Sequence, residues 1–181
     1  TQKGSLVAPD LRIPFEVCRG YDLPGFVDSH TLVIVSSYSG NTEETLSCFE
    51  QSIARGAHHL VITTGGRLKD VAAANHIPTF VFDYEAPPRA ALPYSFVALL
   101  CFMGRLGYLR GADLRLDELP AVLRSQDKML REGVPTSDNQ AKQLAHRFHD
   151  RLAVIYGAEL VSEAAHRWKT QINENSKSSA F

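Results

Sequence analysis

The segment of the sequence best suited to chemistry is Ser-Tyr-Ser-Gly-Asn-Thr-Glu-Glu-Thr, residues 37–45. It follows the nearly all-apolar run 31–36, which predicts a buried parallel strand, and leads into a predicted helix. Open α/β sheets bind ligands at such a junction. Gly40 permits a positive φ and a close approach of the backbone to a ligand. The hydroxyls that could converge there are those of Ser37, Ser39 and Thr42. With the amides and dipole of the first helical turn, they predict a phosphate-binding loop that needs no lysine.

The same segment also has the features of an ordinary helix start. Asn41 as the N-cap, with Glu44 three residues later, resembles a capping box. A capping box accounts for these two residues but not for three hydroxyls and a glycine. We therefore favour the phosphate loop and include Asn41 in it.

Two further loops are predicted at the same edge of the sheet. Thr-Thr-Gly-Gly-Arg, residues 63–67, could close a pocket with its amides or with Arg67, or could be a tight turn that needs its glycines. Arg89 follows two prolines near a helix start, where a positive charge is unfavourable by roughly a few tenths of a kcal/mol. Both a surface arginine and an arginine that faces an anionic ligand or a carboxylate fit that position.

Glu174 lies at the C-terminal end of the last predicted helix. The apolar stripe of this helix is formed by Val161, Ala165, Trp168 and Ile172. Glu174 lies off that stripe, at the end where the helix dipole disfavours a carboxylate. Taken alone, its position is typical of a solvated helix end.

These segments depend on a scaffold in which short β-branched runs alternate with helical patterns, which is typical of βαβ units. The predicted fold class is α/β, a three-layer parallel sheet flanked by helices. Strands are predicted at residues 15–19, 31–36, 59–63, 79–82 and 152–156. Helices are predicted at residues 42–55, 68–75, 90–108, 119–131, 139–150 and 160–173, with Ser137 or Asp138 as the N-cap of the fifth. Residues 1–115 are predicted to form a first domain, and residues 116–181 a linker helix and the start of a second α/β domain.

The composition excludes several classes of function. Nineteen basic and twenty acidic residues among 181 give a net charge of −1, which disfavours non-specific binding to nucleic acid or to an anionic membrane. Neither a Gly-x-Gly-x-x-Gly motif nor a spaced set of metal ligands is present, so no dinucleotide cofactor and no metal are expected. The three cysteines are widely spaced. They are expected to be buried, unpaired thiols of a reducing, cytoplasmic compartment.

Residues 37–45 resemble the phosphosugar signature of sugar isomerase (SIS) domains. Five motifs in one order, spread over nearly the whole chain, resemble more narrowly the bifunctional phosphoglucose/phosphomannose isomerases. The motifs are Arg-Gly-Tyr-Asp-Leu-Pro (19–24), Ser-Tyr-Ser-Gly-Asn-Thr (37–42), Thr-Gly-Gly-Arg-Leu (64–68), Pro-Arg-Ala-Ala-Leu (88–92) and Trp-Lys-Thr-Gln-Ile-Asn-Glu-Asn (168–175). The resemblance implies a SIS-type, flavodoxin-like fold with the start of a second SIS domain.

The resemblance also implies a function, which is the interconversion of glucose 6-phosphate or mannose 6-phosphate with fructose 6-phosphate through an enediol, without a cofactor. The residues that it implies for binding the substrate phosphate are Ser37, Ser39, Gly40, Asn41 and Thr42. It implies that Arg89 stabilises the enediolate and that Glu174 is the base that moves a proton between C1 and C2. The protein that it implies is a cytoplasmic homodimer of glycolysis and gluconeogenesis.

Two other interpretations stay open. A SIS domain that senses a phosphosugar without chemistry would keep the hydroxyl loop but would have no use for Arg89 and Glu174. An isomerase of another sugar phosphate, such as arabinose 5-phosphate or sedoheptulose 7-phosphate, would have one SIS domain, whereas the strand–helix pattern restarts here after residue 150. Compared with the family, we expect this chain to lack the Gly-Gly-Ser loop before its first strand and the ring-opening histidine after Phe181.

Overall fold

The computed structural model describes residues 10–109 and 116–181. These residues separate into two compact units, 11–109 and 116–181, and each unit is described by itself. The boundary predicted at residue 115 lies outside the described residues. In the described ranges, no helix is both long and apolar enough to cross a membrane.

The first unit is built on a three-stranded parallel sheet. Its strands are β1 (Leu32–Ser37), β2 (His58–Thr63) and β3 (Thr79–Val81), in that spatial order. Ser37 is paired with Thr63, and Thr63 with Val81, so all three strands end at the same edge. The prediction that these three segments are adjacent parallel strands is confirmed.

Helices cover both faces of this sheet, as predicted. They are α1 (Glu43–Ala54), α2 (Gly66–Ala74) and α3 (Leu92–Arg105), the last preceded by a 3₁₀ turn, Pro88–Ala90. Phe49 of α1 and Leu68 of α2 are completely buried together against one face, around Val61. Ala98 of α3 packs on the other face against Ile62. The alternation of Val61 and Ile62 between the two faces is what a strand buried on both sides requires.

The strand predicted at residues 15–19 is wrong, because that segment has no strand hydrogen bonds. The chain that follows it, residues 20–24, runs along α1 and bonds to side chains of that helix. Gln51 Nε2 donates to the carbonyl of Tyr21 at 2.7 Å, and Arg55 Nη1 donates to the carbonyl of Pro24 at 2.7 Å. These side-chain partners replace the neighbouring strand that the sequence pattern led us to expect.

The cysteines are less buried than the sequence suggested. Cys18 is exposed, and Cys48 and Cys101 are half-buried; all three are free thiols. Cys48 packs at the edge of a small apolar cluster around Leu23 and Val27. The prediction of buried thiols is therefore wrong for Cys18, because the segment that carries it lies on the surface of α1 and not inside the sheet.

The second unit contains three helices, α4 (Leu119–Leu130), α5 (Gln140–Phe148) and α6 (Ser162–Gln171), and α6 continues into a π-helical turn, Ile172–Ser176. The N-cap of α5 is Asn139, not Ser137 or Asp138, because the side chain of Asn139 accepts from the N–H of Lys142 at 3.1 Å. Asn139 is completely buried, and its amide also donates to the carbonyl of Leu130 at 3.0 Å. One side chain thus joins the end of α4 to the start of α5.

The strand predicted at residues 152–156 is present only as a short parallel pairing. Ala153 bridges Ala180, the N–H of Ile155 donates to the carbonyl of Phe181 at 2.7 Å, and the N–H of Phe181 donates to the carbonyl of Ala153 at 3.0 Å. This pairing spans too few residues to count as a strand. Its parallel direction, with α6 between the two segments, is that of a βαβ crossover.

Candidate functional site

The hydroxyl-rich loop lies where β1 ends, at the edge to which all three strands point their carboxyl ends. Ser37 is buried. Its hydroxyl accepts from the N–H of Gly40 at 3.1 Å and is hydrogen-bonded to the hydroxyl of Thr42 at 2.9 Å. The hydroxyl of Ser39 accepts from the N–H of Asn41 at 3.2 Å. Ser39 and Thr42 are exposed. The loop therefore closes on itself through Ser37 and presents Ser39 and Thr42 outward.

The loop after β1 and the loop after β2 touch backbone to backbone. Gly40 has a φ of +67°, and a Cβ built on it would lie 1.8 Å from the carbonyl oxygen of Gly65. Gly66 also has a φ of +67°, and a Cβ there would lie 2.3 Å from the carbonyl oxygen of Ser39. Only residues without a Cβ fit at these two positions. This contact explains Gly40 and Gly66 as requirements of packing between the loops, whereas a Cβ on Gly65 would meet nothing within 4 Å.

Asn41 caps a different helix from the one that the capping-box interpretation required. The N-cap of α1 is Thr42, and among the described residues no side chain caps that helix. Asn41 Oδ1 instead accepts from the N–H of Arg67, in the first turn of α2, at 3.0 Å. The capping box of Asn41 with Glu44 is therefore wrong, because the contact between the loops turns Asn41 toward α2. The first-turn amides of α1 are left for water or a ligand.

Two carboxylates of α1 have side-chain partners in other segments of the first unit. Glu43, in the first turn of α1, accepts a hydrogen bond from the hydroxyl of Tyr21 at 3.2 Å, and this bond raises the pKa of Tyr21. The guanidinium of Arg67 forms an exposed ion pair with Glu50 at 2.7 Å. Arg67 therefore contributes its backbone N–H to the contact between the loops, while its guanidinium is paired with Glu50 of α1.

Tyr38 connects the hydroxyl loop to the chain segment that carries Arg89. Its hydroxyl lies 2.7 Å from the carbonyl oxygens of both Tyr84 and Ala86, and it accepts from the N–H of Ala86 at 3.1 Å. The carbonyl of Tyr38 in turn accepts from the hydroxyl of Thr64 at 2.7 Å. Tyr38 therefore ties together the three loops that follow β1, β2 and β3.

Arg89 is half-buried in the 3₁₀ turn Pro88–Ala90, just beyond the segment held by Tyr38. The first unit therefore brings together the loop residues of 37–42, the glycines of 65–66 and the segment that leads to Arg89. Sequence reasoning missed Tyr38 as a connector. The sequence did contain a signal for it, because Tyr38 is a large aromatic residue between two serines at a predicted strand end.

Glu174 belongs to the second unit, in the π-helical turn Ile172–Ser176, and is exposed. Its neighbours on both sides are engaged in local bonds. Asn173 Oδ1 accepts from the N–H of Ala180 at 2.7 Å, and Asn175 Nδ2 donates to the carbonyl of Gln171 at 3.0 Å. The two asparagines hold the turn while the carboxylate between them faces outward. A π-helical turn is a departure from regular helix that often accompanies functional sites.

Among the residues that the structure describes, no group of three or more histidine, cysteine, aspartate or glutamate side chains is arranged to hold a metal ion. The polar groups of the loop after β1 include the hydroxyls of Ser39 and Thr42 and the first-turn amides of α1, beside the carboxylates of Glu43 and Glu44. The hydroxyls and amides are hydrogen-bond donors suited to an oxyanion.

Comparison with known proteins identifies relatives for the chain. Residues 137–181 match the family model of the bacterial phospho-glucose isomerase C-terminal SIS domain. The chain is 44% identical over 171 residues to the bifunctional phosphoglucose/phosphomannose isomerase of Caldicellulosiruptor bescii, covering 94% of this chain and 50% of that protein. Identity to the protein of the same name from Aquifex aeolicus is 36% over 168 residues, covering 93% and 48%. A D-glucosamine-6-phosphate 4-epimerase of Sulfolobus acidocaldarius is 30% identical over 173 residues, covering 95% and 52%.

The fold is also found among solved structures. A crystal structure from Salmonella typhimurium LT2, provisionally named a phosphosugar isomerase, gives a TM-score of 0.59 at 16% identity, covering 87% of this chain and 48% of that one. This likeness concerns the fold alone, and it agrees with the predicted parallel sheet flanked by helices. The chain spans about half the length of the curated relatives it matches. By its sequence, the chain is similar over nearly its whole length to about half of the bifunctional phosphoglucose/phosphomannose isomerases.

Proposed function

We propose that this chain contributes to an aldose–ketose isomerase that interconverts fructose 6-phosphate with glucose 6-phosphate and mannose 6-phosphate. The observation that carries the proposal is the loop at the end of β1, where exposed hydroxyls stand beside a helix start that no described side chain caps. The names of the relatives from Caldicellulosiruptor bescii and Aquifex aeolicus support the choice of substrates.

We assign the substrate phosphate to this loop. Ser39 and Thr42 are exposed, so their hydroxyls and the first-turn amides of α1 would bind the phosphate oxygens directly. Ser37, Gly40 and Asn41 would shape the loop, since Ser37 bonds to Gly40 and Thr42 and Asn41 caps α2. A phosphate held at this end positions the distant carbon atoms that react.

The reaction itself needs a base and a positive group. In the open-chain ketose, Glu174 would remove a proton from C1, the C–H electron pair would form the C1–C2 double bond, and the C2 oxygen would become an oxyanion. Arg89 would stabilise that oxyanion. A proton then passes from the O1 hydroxyl to the O2 oxyanion, and return of the proton from Glu174 to C2 regenerates an aldose with its carbonyl at C1. Because the enediol has no stereocentre at C2, one site can give both glucose 6-phosphate and mannose 6-phosphate.

Binding is the first test of the proposal. Calorimetric titration of the chain should give heat with fructose 6-phosphate and none with fructose. Replacing both Ser39 and Thr42 by Ala should weaken fructose 6-phosphate binding by about 1–3 kcal/mol, because two hydroxyl contacts are lost. Ser36→Ala is the matched control, since Ser36 is an exposed serine of β1 outside the loop. Unchanged affinity in the double variant would contradict the phosphate assignment.

Turnover is the second test, and it separates the competing functions. In deuterium oxide, fructose 6-phosphate should yield glucose 6-phosphate and mannose 6-phosphate that carry deuterium at C2, as read by NMR. Binding without product or exchange would identify a phosphosugar-sensing module instead. A product inverted at C4 would align the chain with the relative named D-glucosamine-6-phosphate 4-epimerase.

The wider setting of the protein is part of the same proposal. We assign residues 1–115 to a first SIS domain and residues 116–181 to a linker helix and the start of a second, which the family match at 137–181 supports. We place the protein in the cytoplasm, as a homodimer that acts in glycolysis and gluconeogenesis. Mass measurement of the native protein by light scattering would test the dimer.

A further inference from the structure

Two of the three cysteines of the chain lie side by side. Cys18 Sγ, in the surface segment before α1, is 3.7 Å from Cys48 Sγ in the middle of α1. Thirty residues of sequence separate them. The sequence spacing gave no indication of this pair, which the path of residues 18–24 along α1 creates.

The two thiols face the same turn of backbone. Cys18 donates to the carbonyl of Asp22 at 3.4 Å, and Cys48 donates to the carbonyl of Gly20 at 3.2 Å. The two sulfurs are also within hydrogen-bond distance of each other, and either thiol could be the donor. The two sulfur atoms are in direct contact, and both are held against residues 20–22.

The surroundings give the two sulfurs different accessibility. Cys18 is exposed, whereas Cys48 is half-buried beside Leu23 and Val27. Burial and the hydrogen bond with Cys18 raise the pKa of the Cys48 thiol to about 11, and the carboxylate of Asp22 acts in the same direction. An oxidant from solution therefore reaches Cys18 first. Once Cys18 is in a mixed disulfide, its thiol no longer contributes to the raised pKa of Cys48, which lies in contact and reacts second.

We propose that Cys18 and Cys48 form a reversible disulfide in reaction with a small disulfide oxidant such as oxidised glutathione. The Cys18 thiolate attacks one sulfur of the oxidant, forms a mixed disulfide and releases one glutathione thiol. The Cys48 thiolate then attacks Cys18 Sγ and displaces the second glutathione. Two protein thiols are oxidised, one glutathione disulfide is reduced to two thiols, and both protein protons leave with the products.

The bond would fix the segment 18–24 to α1. In the reduced protein, side chains one turn apart hold that segment by hydrogen bonds. They are Glu43, Ser47 and Gln51 of α1 and Arg55 at its C-cap. A covalent link at Cys48 would add to this row and restrict the unfolded chain. Oxidation should therefore raise the Tm by roughly 5–15 °C, and dithiothreitol should reverse the rise.

The test uses the native chain with Cys101 as an internal control. Cys101 lies in α3, on the opposite face of the sheet from α1, so neither Cys18 nor Cys48 can pair with it and it should keep its thiol. After incubation with oxidised glutathione, the intact mass should fall by two hydrogen atoms, one thiol should remain, and peptide mapping should join Cys18 to Cys48. Cys18→Ser should abolish the loss of mass, whereas Cys101→Ala should leave it unchanged.

Three outcomes would overturn the proposal. The first is a stable glutathione adduct on Cys18 that Cys48 never displaces. The second is a disulfide that includes Cys101. The third is the same mixture of pairings in the folded protein and in protein unfolded by guanidinium, because that result would show that the fold does not bring the two sulfurs together.

Discussion

Gly40 and Gly65 are in contact through their backbones, and a Cβ on Gly40 would lie only 1.8 Å from the carbonyl oxygen of Gly65. The contact joins the loop after β1 to the loop after β2. It is reinforced by a hydrogen bond from the N–H of Leu68 to the carbonyl of Gly40 at 2.9 Å. The proposed phosphate loop can therefore keep this shape only if residue 40 has no Cβ.

Gly40→Ala should strongly destabilise the chain. The left-handed φ of +67° costs an alanine about 1–2 kcal/mol, and the clash with Gly65 adds to it, so the free energy of unfolding should fall by more than about 3 kcal/mol. Gly56→Ala is the matched control, because Gly56 has a φ of +70° with nothing within 4 Å of a built Cβ. Equal losses for the two variants in urea titrations would show that the loops do not press on each other.

Tyr38→Phe should loosen the segment that carries Arg89. The phenol can donate to only one of the carbonyls of Tyr84 and Ala86 at a time, and it also accepts from the N–H of Ala86. Losing these bonds while keeping the ring should lower the free energy of unfolding by about 1–3 kcal/mol.

The control for Tyr38 is Tyr94→Phe. Tyr94 stacks on Phe82 with the ring centroids 4.8 Å apart, and its hydroxyl has no hydrogen bond to any residue in the described ranges. This variant should unfold like the parent chain. Faster hydrogen exchange of the Ala86 amide in Tyr38→Phe, but not in Tyr94→Phe, would show that the segment before Arg89 is the part that loosens. Equal stability of the two variants would contradict the prediction.

His59 should make the stability of the first unit depend on pH. Burial, followed by the charge of His58, lowers the pKa of His59, whose ring contacts the buried hydroxyl of Ser52 at 2.8 Å. The unfolded chain therefore binds a proton at a higher pH than the folded chain does. Stability is fully present above the unfolded pKa of about 6.5 and is lost as pH falls through that value toward the folded pKa.

Urea unfolding between about pH 8 and pH 5 measures this dependence. His59→Gln should flatten the decline at acid pH. His149→Gln should leave it unchanged, because the side chain of His149 is 80% exposed. The same acid slope in His59→Gln as in the parent would assign the pH dependence to other groups.

Glu174→Gln should abolish turnover while sparing binding. The change keeps the shape of the side chain and removes its basicity, and loss of a general base typically lowers kcat by about 10²–10⁴-fold. KM for fructose 6-phosphate should change little, because the phosphate is assigned to the loop of the first unit. Deuterium incorporation at C2 should stop together with turnover.

Glu163→Gln is the control for this variant, since Glu163 is an exposed glutamate of α6 in the first turn of the same helix. It should retain the parent kcat. A Glu174→Gln variant with near-normal kcat would make Glu174 a solvated residue at a helix end.

The core elements could be predicted from the sequence because their signals are local. The apolar run before Ser37 and the helical pattern after Thr42 specify β1 and α1 without reference to the rest of the chain. The strand predicted at residues 15–19 is wrong for the same reason, because that prediction also used only a local pattern. Its alternation is that of a strand, but a strand also needs a neighbouring strand, and residues 20–24 find side chains of α1 instead.

The sequence by itself determined the α/β fold class, the places of the three strands along the chain and the position of the hydroxyl loop at a strand end, because hydrophobic periodicity and helix signals act over a few residues. Only the tertiary structure decided which groups meet. Asn41 caps α2 and not its own helix, Tyr38 reaches the segment before Arg89, and Cys18 lies against Cys48. The physical reason is that each contact joins residues 26 to 48 positions apart in the sequence. The crossovers of the chain and the packing of α1 on the sheet set the distance between such residues in space. A local sequence pattern contains no information about that distance.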